Sequence, residues 1–350
     1  MNKRWIVIRP QGLPLPLSFR LDRRVPLTVL ALALVSFAVM VIHVGHGEYP
    51  IEPLEIFKTL LGIETGNSDY SFIINTLRLP RVLVAFLVGV GLALSGTILQ
   101  SITRNPLAEP GIIGINAGAS LAAVSAIVLF PSAPLFVLPL SAFGGALAVA
   151  LLIYFLAWDK GSSPIRLILI GAGIAAVASA LTSVMVTFGE INNVSQALIW
   201  LTGSVYGRTW EHIWQLLPWL VVFVPLTFML SRDLNALNLG DDLARGLGNK
   251  VEQKRSLLLL SSVALAGASV AVAGTIGFVG LIAPHLARQL VGPNHEGLLP
   301  TAAIMGGTIV AIADLIGRML FSPIEIPCGV ITATVGAPYF MYLLYRSNKK

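Results

Sequence analysis

The stretch from Thr103 to Ala119 reads TRNPLAEPGIIGINAGA and lies between two apolar runs of membrane-like sequence. Two prolines and Glu109 interrupt the apolar pattern, and small residues follow at Gly111, Gly114 and Gly118. A break exposed to lipid would leave backbone polar groups without partners, so it must find those partners inside the protein. Small residues allow helices to pack closely enough to supply them. The stretch therefore predicts a packed bundle of several membrane helices.

The composition of the 350-residue chain indicates the same class. Hydrophobic residues make up 55% of the chain and charged residues 11%, and the mean hydropathy is +0.82. Soluble domains carry roughly 25% charged residues. We therefore predict an all-α polytopic membrane protein with about ten transmembrane helices in one integral domain. Apolar windows long enough to cross a bilayer lie near residues 25–44, 81–101, 111–130, 134–157, 164–188, 210–230, 256–276, 299–317 and 328–345.

A further apolar segment, Gly277 to Leu290, is interrupted by Pro284 and is too short to cross the membrane upright. If it crosses as a short helix buried in protein, 18 of the 23 Lys and Arg residues lie on the side of the N-terminus. Positive charge is typical of cytoplasmic segments, so we expect both termini in the cytoplasm. The pI near 9.6 then follows from topology, and no nucleic-acid partner is expected. The predicted divisions are a basic cytoplasmic tail at 1–24, a single integral membrane domain at 25–346 and a cytoplasmic tail at 347–350.

The largest polar segment inside the predicted membrane domain is Ser231 to Arg255, which the charge count places in the cytoplasm. Leu239 to Leu247 is expected to form a short amphipathic helix, with Asp241 and Asp242 near its start, where the helix dipole favours anions. Gly248 is placed to close this helix as a C-terminal cap. A solvated loop would not need leucine at positions 237, 239, 243 and 247. The alternative is a helix that lies on the bilayer surface.

The sequence contains no recognisable catalytic or metal-binding constellation. It lacks the G-x-x-x-x-G-K-[ST] phosphate loop, so an ATP-driven step would need a separate polypeptide. His285 and His295 lie ten residues apart without an H-E-x-x-H pattern, a cysteine cluster or paired carboxylates. We interpret both histidines as structural. The single cysteine, Cys328, excludes an intramolecular disulfide and is expected as a small apolar residue at a helix start.

Few charges fall on the predicted outer side of the membrane. Arg78 and Arg81 lie where the second span begins, and Arg318 ends the ninth. Such arginines can act as anchors that extend toward the membrane surface. Asp314 lies one turn before Arg318, and this spacing predicts a structural ion pair near the interface rather than a proton relay. Glu325 lies in the outer loop before the last helix.

Several separate motifs carry a resemblance to a known family. Besides the stretch at 103–119, they are LRLPR at Leu77–Arg81, NLGDDLARGLG at Asn238–Gly248 and EIPCGVITATVGAPYF at Glu325–Phe340. In these motifs and their order the chain resembles the iron-siderophore and cobalamin importer permeases, the membrane subunits of type II ABC importers. The resemblance runs from about residue 77 to residue 344. Within the family, LIWLTGSVYGRTW at Leu198–Trp210 looks closer to the ferric citrate and siderophore permeases.

The resemblance implies a permease subunit of an ATP-driven importer for iron(III)-siderophore complexes in the inner membrane of a bacterium. Its implied partners are a second permease subunit, identical or paralogous, two ATPase subunits that carry ATP and Mg²⁺, and an extracytoplasmic siderophore-binding protein. No cofactor is expected in this chain. Arg78, Arg81 and Arg318 match family arginines that pair with glutamates of the binding protein. The residues that match the family's ATPase-coupling loop are Asn238, Leu239, Gly240, Asp241, Asp242, Leu243, Ala244, Arg245, Gly246, Leu247 and Gly248.

Alternative functions stay open at this stage. A cobalamin or haem importer of the same family would have the same architecture. An ion-coupled secondary transporter would need intramembrane coupling residues, for which Asp314 alone is thin support, and a membrane enzyme would need a catalytic constellation. The sequence does not identify the siderophore, the second pore subunit or the gating residues. It also leaves open whether His285, Asp314 or Glu325 has a role beyond structure.

Overall fold

The computed structural model describes residues 5–8, 19–47, 49–65, 67–134, 136–158 and 163–347. The helices are α1 (Arg24–Gly45), α2 (Pro53–Leu60), α3 (Asp69–Phe72), α4 (Leu79–Thr103), α5 (Pro110–Ile113), α6 (Ile115–Leu129), α7 (Val137–Ala157), α8 (Pro164–Phe188), α9 (Ile191–Leu201), α10 (Trp210–Met229), α11 (Ser231–Asn238), α12 (Asp241–Gly246), α13 (Val251–Ala273), α14 (Val279–Val291), α15 (His295–Met319) and α16 (Cys328–Ser347). A π-helical stretch, Ile73–Arg78, joins α3 to α4 without a break.

The predicted membrane spans are confirmed as helices. Among the described residues, eight helices are long and apolar enough to cross a bilayer, namely α1, the continuous helix that ends with α4, α7, α8, α10, α13, α15 and α16. The other two predicted spans are shorter: α6 has 15 residues and α14 has 13. Because 13 helical residues rise only about 20 Å, α14 does not cover a full bilayer. It is buried along most of one side within the bundle.

The two helix breaks are bonded to each other inside the bundle. Arg104 has a left-handed φ of 52° just after α4, and Gly114 has a φ of 98° between α5 and α6. In the second break, Phe278 has a φ of 66° where α14 begins. The backbone N–H of Phe278 donates to Oε2 of the buried Glu109 at 3.1 Å. The partner that a break in membrane sequence requires is therefore a carboxylate of the other break.

The centre of the bundle is formed by α4, α13 and α15, which are the most buried of the long helices. Helices α4 and α15 run antiparallel, and their contact uses glycines to bring the backbones together. A Cβ atom at Gly89 would collide with the backbone of Gly306 and Gly307. Such close approach maximises the van der Waals contact that holds membrane helices together. The antiparallel pair α4/α15 thus forms a tightly packed unit in the core.

The predicted basic tail at 1–24 contains a short hairpin. Strand β1 (Trp5–Ile8) pairs antiparallel with β2 (Phe19–Asp22), with Trp5 opposite Asp22. Strand β2 lies next to α15. The rest of this tail, residues 1–4 and 9–18, and the C-terminal residues 348–350 lie outside the described residues.

Candidate functional site

The polar segment 231–255, here called the coupling segment, contains the expected short helix. Helix α12 (Asp241–Gly246) is closed by Gly248, two residues beyond its end, which has a φ of 81°. The N–H of Gly248 donates to the carbonyl of Arg245, and the N–H of Asn249 donates to that of Ala244, both at 2.9 Å. These bonds satisfy carbonyls that the end of a helix leaves open. A second short helix, α11, precedes α12 in the same segment, and Gly240 with a φ of 116° joins the two.

The leucines of the coupling segment divide into a buried and an exposed set. Leu234 and Leu237 of α11 pack into the hydrophobic core. Leu239, Leu243 and Leu247, here called the leucine face, are 62%, 62% and 70% exposed. Leu243 lies within α12, Leu239 ends α11 just before that helix, and Leu247 follows its last residue. An apolar face on a polar segment at the end of the bundle is typical of a surface that binds a partner.

Ion pairs bind the coupling segment to the ends of core helices. Arg255 at the start of α13 is 1% exposed, and its Nη2 lies 2.6 Å from Oδ1 of Asp241. Arg104, just beyond α4, lies 3.8 Å from the same carboxylate oxygen. Within the segment, Nζ of Lys254 lies 3.0 Å from Oδ2 of Asp233. Asp241 therefore has a second role besides its favourable interaction with the helix dipole, because it also connects α12 to α4 and α13.

At the opposite end of the bundle lies a second group of charges, here called the charge cluster, formed by His43, Arg81, Asp314 and Glu325. Arg81 donates two parallel hydrogen bonds to Asp314, from Nε to Oδ2 and from Nη2 to Oδ1, both 2.8 Å long. Its Nη2 also lies 2.9 Å from Oε2 of Glu325. Nε2 of His43 lies 2.8 Å from Oδ2 of Asp314. Bidentate pairs of this kind are among the strongest polar contacts in proteins.

The expected partner of Asp314 is corrected by this geometry. The i,i+4 spacing predicts a pair with Arg318, but Asp314 bonds to Arg81 on α4 and His43 on α1, and it is 1% exposed. Because α4 and α15 run antiparallel and very close, the Arg81 fork reaches Asp314 across the helix contact. An amino group of Arg318 instead donates to the backbone carbonyl of His43.

The three arginines that match the docking motif all lie at this end of the bundle. Arg78 is 8% exposed and donates to the carbonyls of Val44 and Tyr49 at 2.7 and 2.6 Å. Arg81 is equally buried in the charge cluster. Arg318 is half-buried and lines a cleft of about 240 Å³ together with residues that include His46, Ser322 and Glu325. Of the three arginines, Arg318 therefore borders the cleft.

Within the described residues, the bundle combines eight long apolar helices with shorter ones and with internal breaks that are bonded to each other, as expected of a multi-pass membrane protein. The chain belongs to the FecCD transport family, whose model matches residues 32–346.

Similar proteins are iron-transport permeases. The chain is 45% identical over 333 residues to the Fe(3+)-citrate import system permease protein YfmE of Bacillus subtilis (strain 168), covering 95% of this chain and 98% of that protein. It is 40% identical over 317 residues to the Fe(3+) dicitrate transport system permease protein FecD of Escherichia coli (strain K12), covering 91% and 97%. A solved structure described as an inward-facing conformation of a metal-chelate type ABC transporter superposes with a TM-score of 0.83 at 34% identity, covering 92% and 99%.

Proposed function

We propose that this chain is the membrane-spanning permease subunit of an ATP-driven importer for iron(III)-siderophore complexes. The observation that carries the proposal is the near full-length similarity to permeases named for iron(III) citrate and, in the FhuG protein of Bacillus subtilis (strain 168), for iron(3+)-hydroxamate. The fold supports it through the TM-score of 0.83 to a metal-chelate type ABC transporter. Cobalamin and haem are the competing substrates within this architecture.

We propose that a separate ATPase, which binds ATP and Mg²⁺, moves the coupling segment when it hydrolyses ATP. The leucine face supports this role, because an exposed apolar face gains free energy when a protein groove covers it. The charge count supports a cytoplasmic position for the segment, and the charge cluster is accordingly proposed to lie toward the outside of the inner membrane. The assembly is proposed to contain a second permease subunit and two ATPase subunits.

The outer end is proposed to dock a siderophore-binding protein through Arg78, Arg81 and Arg318. The cleft beside Arg318 supports this proposal, since a guanidinium at its wall can hold a carboxylate from a partner. Arg78 and Arg81 already make internal bonds. A glutamate of the binding protein would therefore compete with backbone carbonyls and with Asp314. We expect Arg318 to contribute the largest part of the docking attraction.

Substrate uptake by a bacterium that lacks its own iron-chelate permeases tests the proposed substrate class. Cells that produce this chain with its second permease subunit, its cognate ATPase and its binding protein should take up radiolabelled iron as ferric citrate or as a ferric siderophore. Uptake of labelled cobalamin and haem should stay at the level of cells without the chain. Saturable uptake of cobalamin or haem with none of iron chelates would contradict the proposed substrate.

Charge reversal at Arg318 tests the docking proposal. Arg318→Glu should weaken capture of the loaded binding protein about fivefold, because an exposed ion pair contributes about 1 kcal/mol or less and the reversed charge also repels. Arg318→Lys serves as the matched control and should change affinity less than twofold. Binding can be measured by surface plasmon resonance with the importer in nanodiscs. A glutamate-to-arginine change on the binding protein should restore part of the affinity for Arg318→Glu, and equal affinities for all forms would reject the docking role.

A further inference from the structure

The side chain of Asn235 in α11 fixes the coupling segment to the first turn of α15. Its Oδ1 accepts the backbone N–H of His295 at 3.0 Å and lies 2.6 Å from Nδ1 of the same residue. Its Nδ2 donates to Oδ1 of Asn294 at 2.7 Å and to Oε2 of Glu296 at 2.9 Å. An amide side chain has two donor hydrogens and two acceptor lone pairs, so all four are used. Every one of these bonds joins α11 to residues 294–296.

The ring of His295 extends the connection to α4. His295 is 1% exposed, and its Nε2 lies 2.5 Å from Oγ of Ser101, itself buried. Because the amide oxygen of Asn235 only accepts, Nδ1 of the ring carries the proton and Nε2 is an acceptor. The single hydroxyl proton of Ser101 is shared between this Nε2 and the carbonyl of Thr97, which lies 2.9 Å from the same oxygen. The result is a buried chain of hydrogen bonds from Asn235 through His295 to Ser101. A buried chain with every member bonded holds one geometry, because breaking any bond leaves a polar group unsatisfied.

The hydrogen bonds from Asn235 to Ser101 reach α4 and α15 at one end of their contact, and the charge cluster binds the same two helices at the other end. Ser101 and His295 lie at the coupling end, while Arg81 and Asp314 join the helices at the outer end. Between them, the contact at Gly89 brings the two backbones too close together to admit a side-chain carbon. Two helices bonded at both ends and packed closely between them are expected to move as one unit, since packed elements shift between discrete arrangements rather than deform continuously.

We propose that Asn235, His295 and Ser101 are positioning residues that attach the coupling segment to the α4/α15 pair, so that movement of the segment displaces the charge cluster. This inference rests on the proposed function, because it assigns the route by which the ATPase acts on the outer end. Asn235 forms the connection, here called the joint, between the coupling segment and the α4/α15 pair. His295 and Ser101 hold the two helices together at that joint.

Two serines of α4 provide a matched test. Ser101→Ala removes the hydroxyl that reaches His295, whereas Ser95→Ala removes one that bonds to Ser262 of α13 at 2.7 Å and makes no bond to the joint. Both side chains are buried in the same helix. With the importer in proteoliposomes, Asn235→Ala should lower substrate transported per ATP hydrolysed about tenfold and Ser101→Ala severalfold, as expected for loss of buried bonds. Ser95→Ala should stay within about twofold of the unmodified importer.

Motion at the outer end can be measured without substrate, by the rate at which an introduced cysteine is labelled. Ile324, 72% exposed beside Glu325, is replaced by cysteine in a Cys328→Ala background, and its reaction with a membrane-impermeant maleimide is timed with and without ATP. The unmodified importer and Ser95→Ala should show an ATP-dependent change in rate. Asn235→Ala and Ser101→Ala should lose it while they still bind the ATPase and hydrolyse ATP. If Asn235→Ala does not insert, Asn235→Gln takes its place, because the longer amide misplaces the same bonds.

The outcomes separate the two levels of the proposal. Suppose that Asn235→Ala and Ser101→Ala kept the full ATP-dependent change in labelling rate and normal transport per ATP. The proposed role of the joint would then be wrong. An equal loss in Ser95→Ala would also overturn it, because any buried hydroxyl of α4 would then have the same effect. Normal ATP-dependent transport by the unmodified importer without a change in labelling rate would overturn the displacement of the charge cluster. Absence of ATP-dependent transport by the unmodified importer would instead contradict ATP coupling itself, and so the proposed function.

Discussion

Replacing Asp314 with alanine is expected to destabilise the protein by about 3 kcal/mol or more, which is the cost of removing one partner of a buried ion pair. Arg81 would stay buried with Glu325 as its remaining carboxylate, and Nε2 of His43 would lose the oxygen that it contacts. The change should lower the melting temperature of the detergent-solubilised protein and its yield after purification. The loss should be among the largest for any single polar residue in the bundle.

A pair nearer the surface provides the control for Asp314→Ala. Glu55 and Lys58 lie 2.7 Å apart in α2, with side chains 21% and 37% exposed. Glu55→Ala should cost less than about 1 kcal/mol, because solvent screens such pairs. The double change Arg81→Met with Asp314→Leu should recover part of the stability lost in Asp314→Ala, since apolar residues can replace a buried ion pair. Equal melting temperatures for Asp314→Ala and Glu55→Ala would show that the charge cluster does not stabilise the bundle.

Replacing Leu243 with aspartate is expected to abolish stable binding of the ATPase while membrane insertion stays normal. Leu243 is 62% exposed at the centre of the leucine face, so its side chain is free to enter a groove of a partner. An apolar anchor at the centre of an interface contributes about 2 kcal/mol or more, which corresponds to roughly 30-fold in Kd. The effect should appear as loss of the ATPase from the purified complex and loss of transport.

Leu61 is the matched control for Leu243. It is 75% exposed after α2 and lies outside the coupling segment. Leu61→Asp introduces the same charge on an equally exposed leucine and should leave ATPase binding within twofold, because no partner is proposed at this position. Leu243→Met, which keeps an apolar side chain of similar volume, should retain most of the affinity. If Leu243→Asp co-purified with the ATPase at the normal ratio, the leucine face would not be the docking surface.

The architecture was accessible from the sequence because its signals are local. Apolar windows fix where helices lie, and the Pro and Gly residues at 103–119 and 277–290 mark the breaks. The cap at Gly248 follows from one residue type at one position, and its φ of 81° confirms it. Each of these features depends on residues within one turn or one span of each other.

The partners of the charged residues were not accessible, because they depend on contacts between distant parts of the chain. Arg81 and Asp314 are 233 positions apart, and the nearby Arg318 offered a simpler local pair. His43 gave one usable signal, since a histidine inside an apolar span requires a polar partner. Asn235 gave none, because an asparagine in a polar segment is ordinary. The leucine pattern predicted an amphipathic segment but could not show that Leu237 faces the core while Leu239 faces outward.

We predict that this chain moves iron chelates only when a partner hydrolyses ATP. The most direct measurement is uptake of a radiolabelled iron(III)-siderophore complex into proteoliposomes that contain this chain, its second permease subunit and the ATPase, with the loaded binding protein on one side and ATP on the other. Uptake should require ATP and stop in Leu243→Asp, and the permease without its ATPase should neither hydrolyse ATP nor accumulate iron. Accumulation driven by an ion gradient without the ATPase, or hydrolysis by the permease alone, would contradict the account.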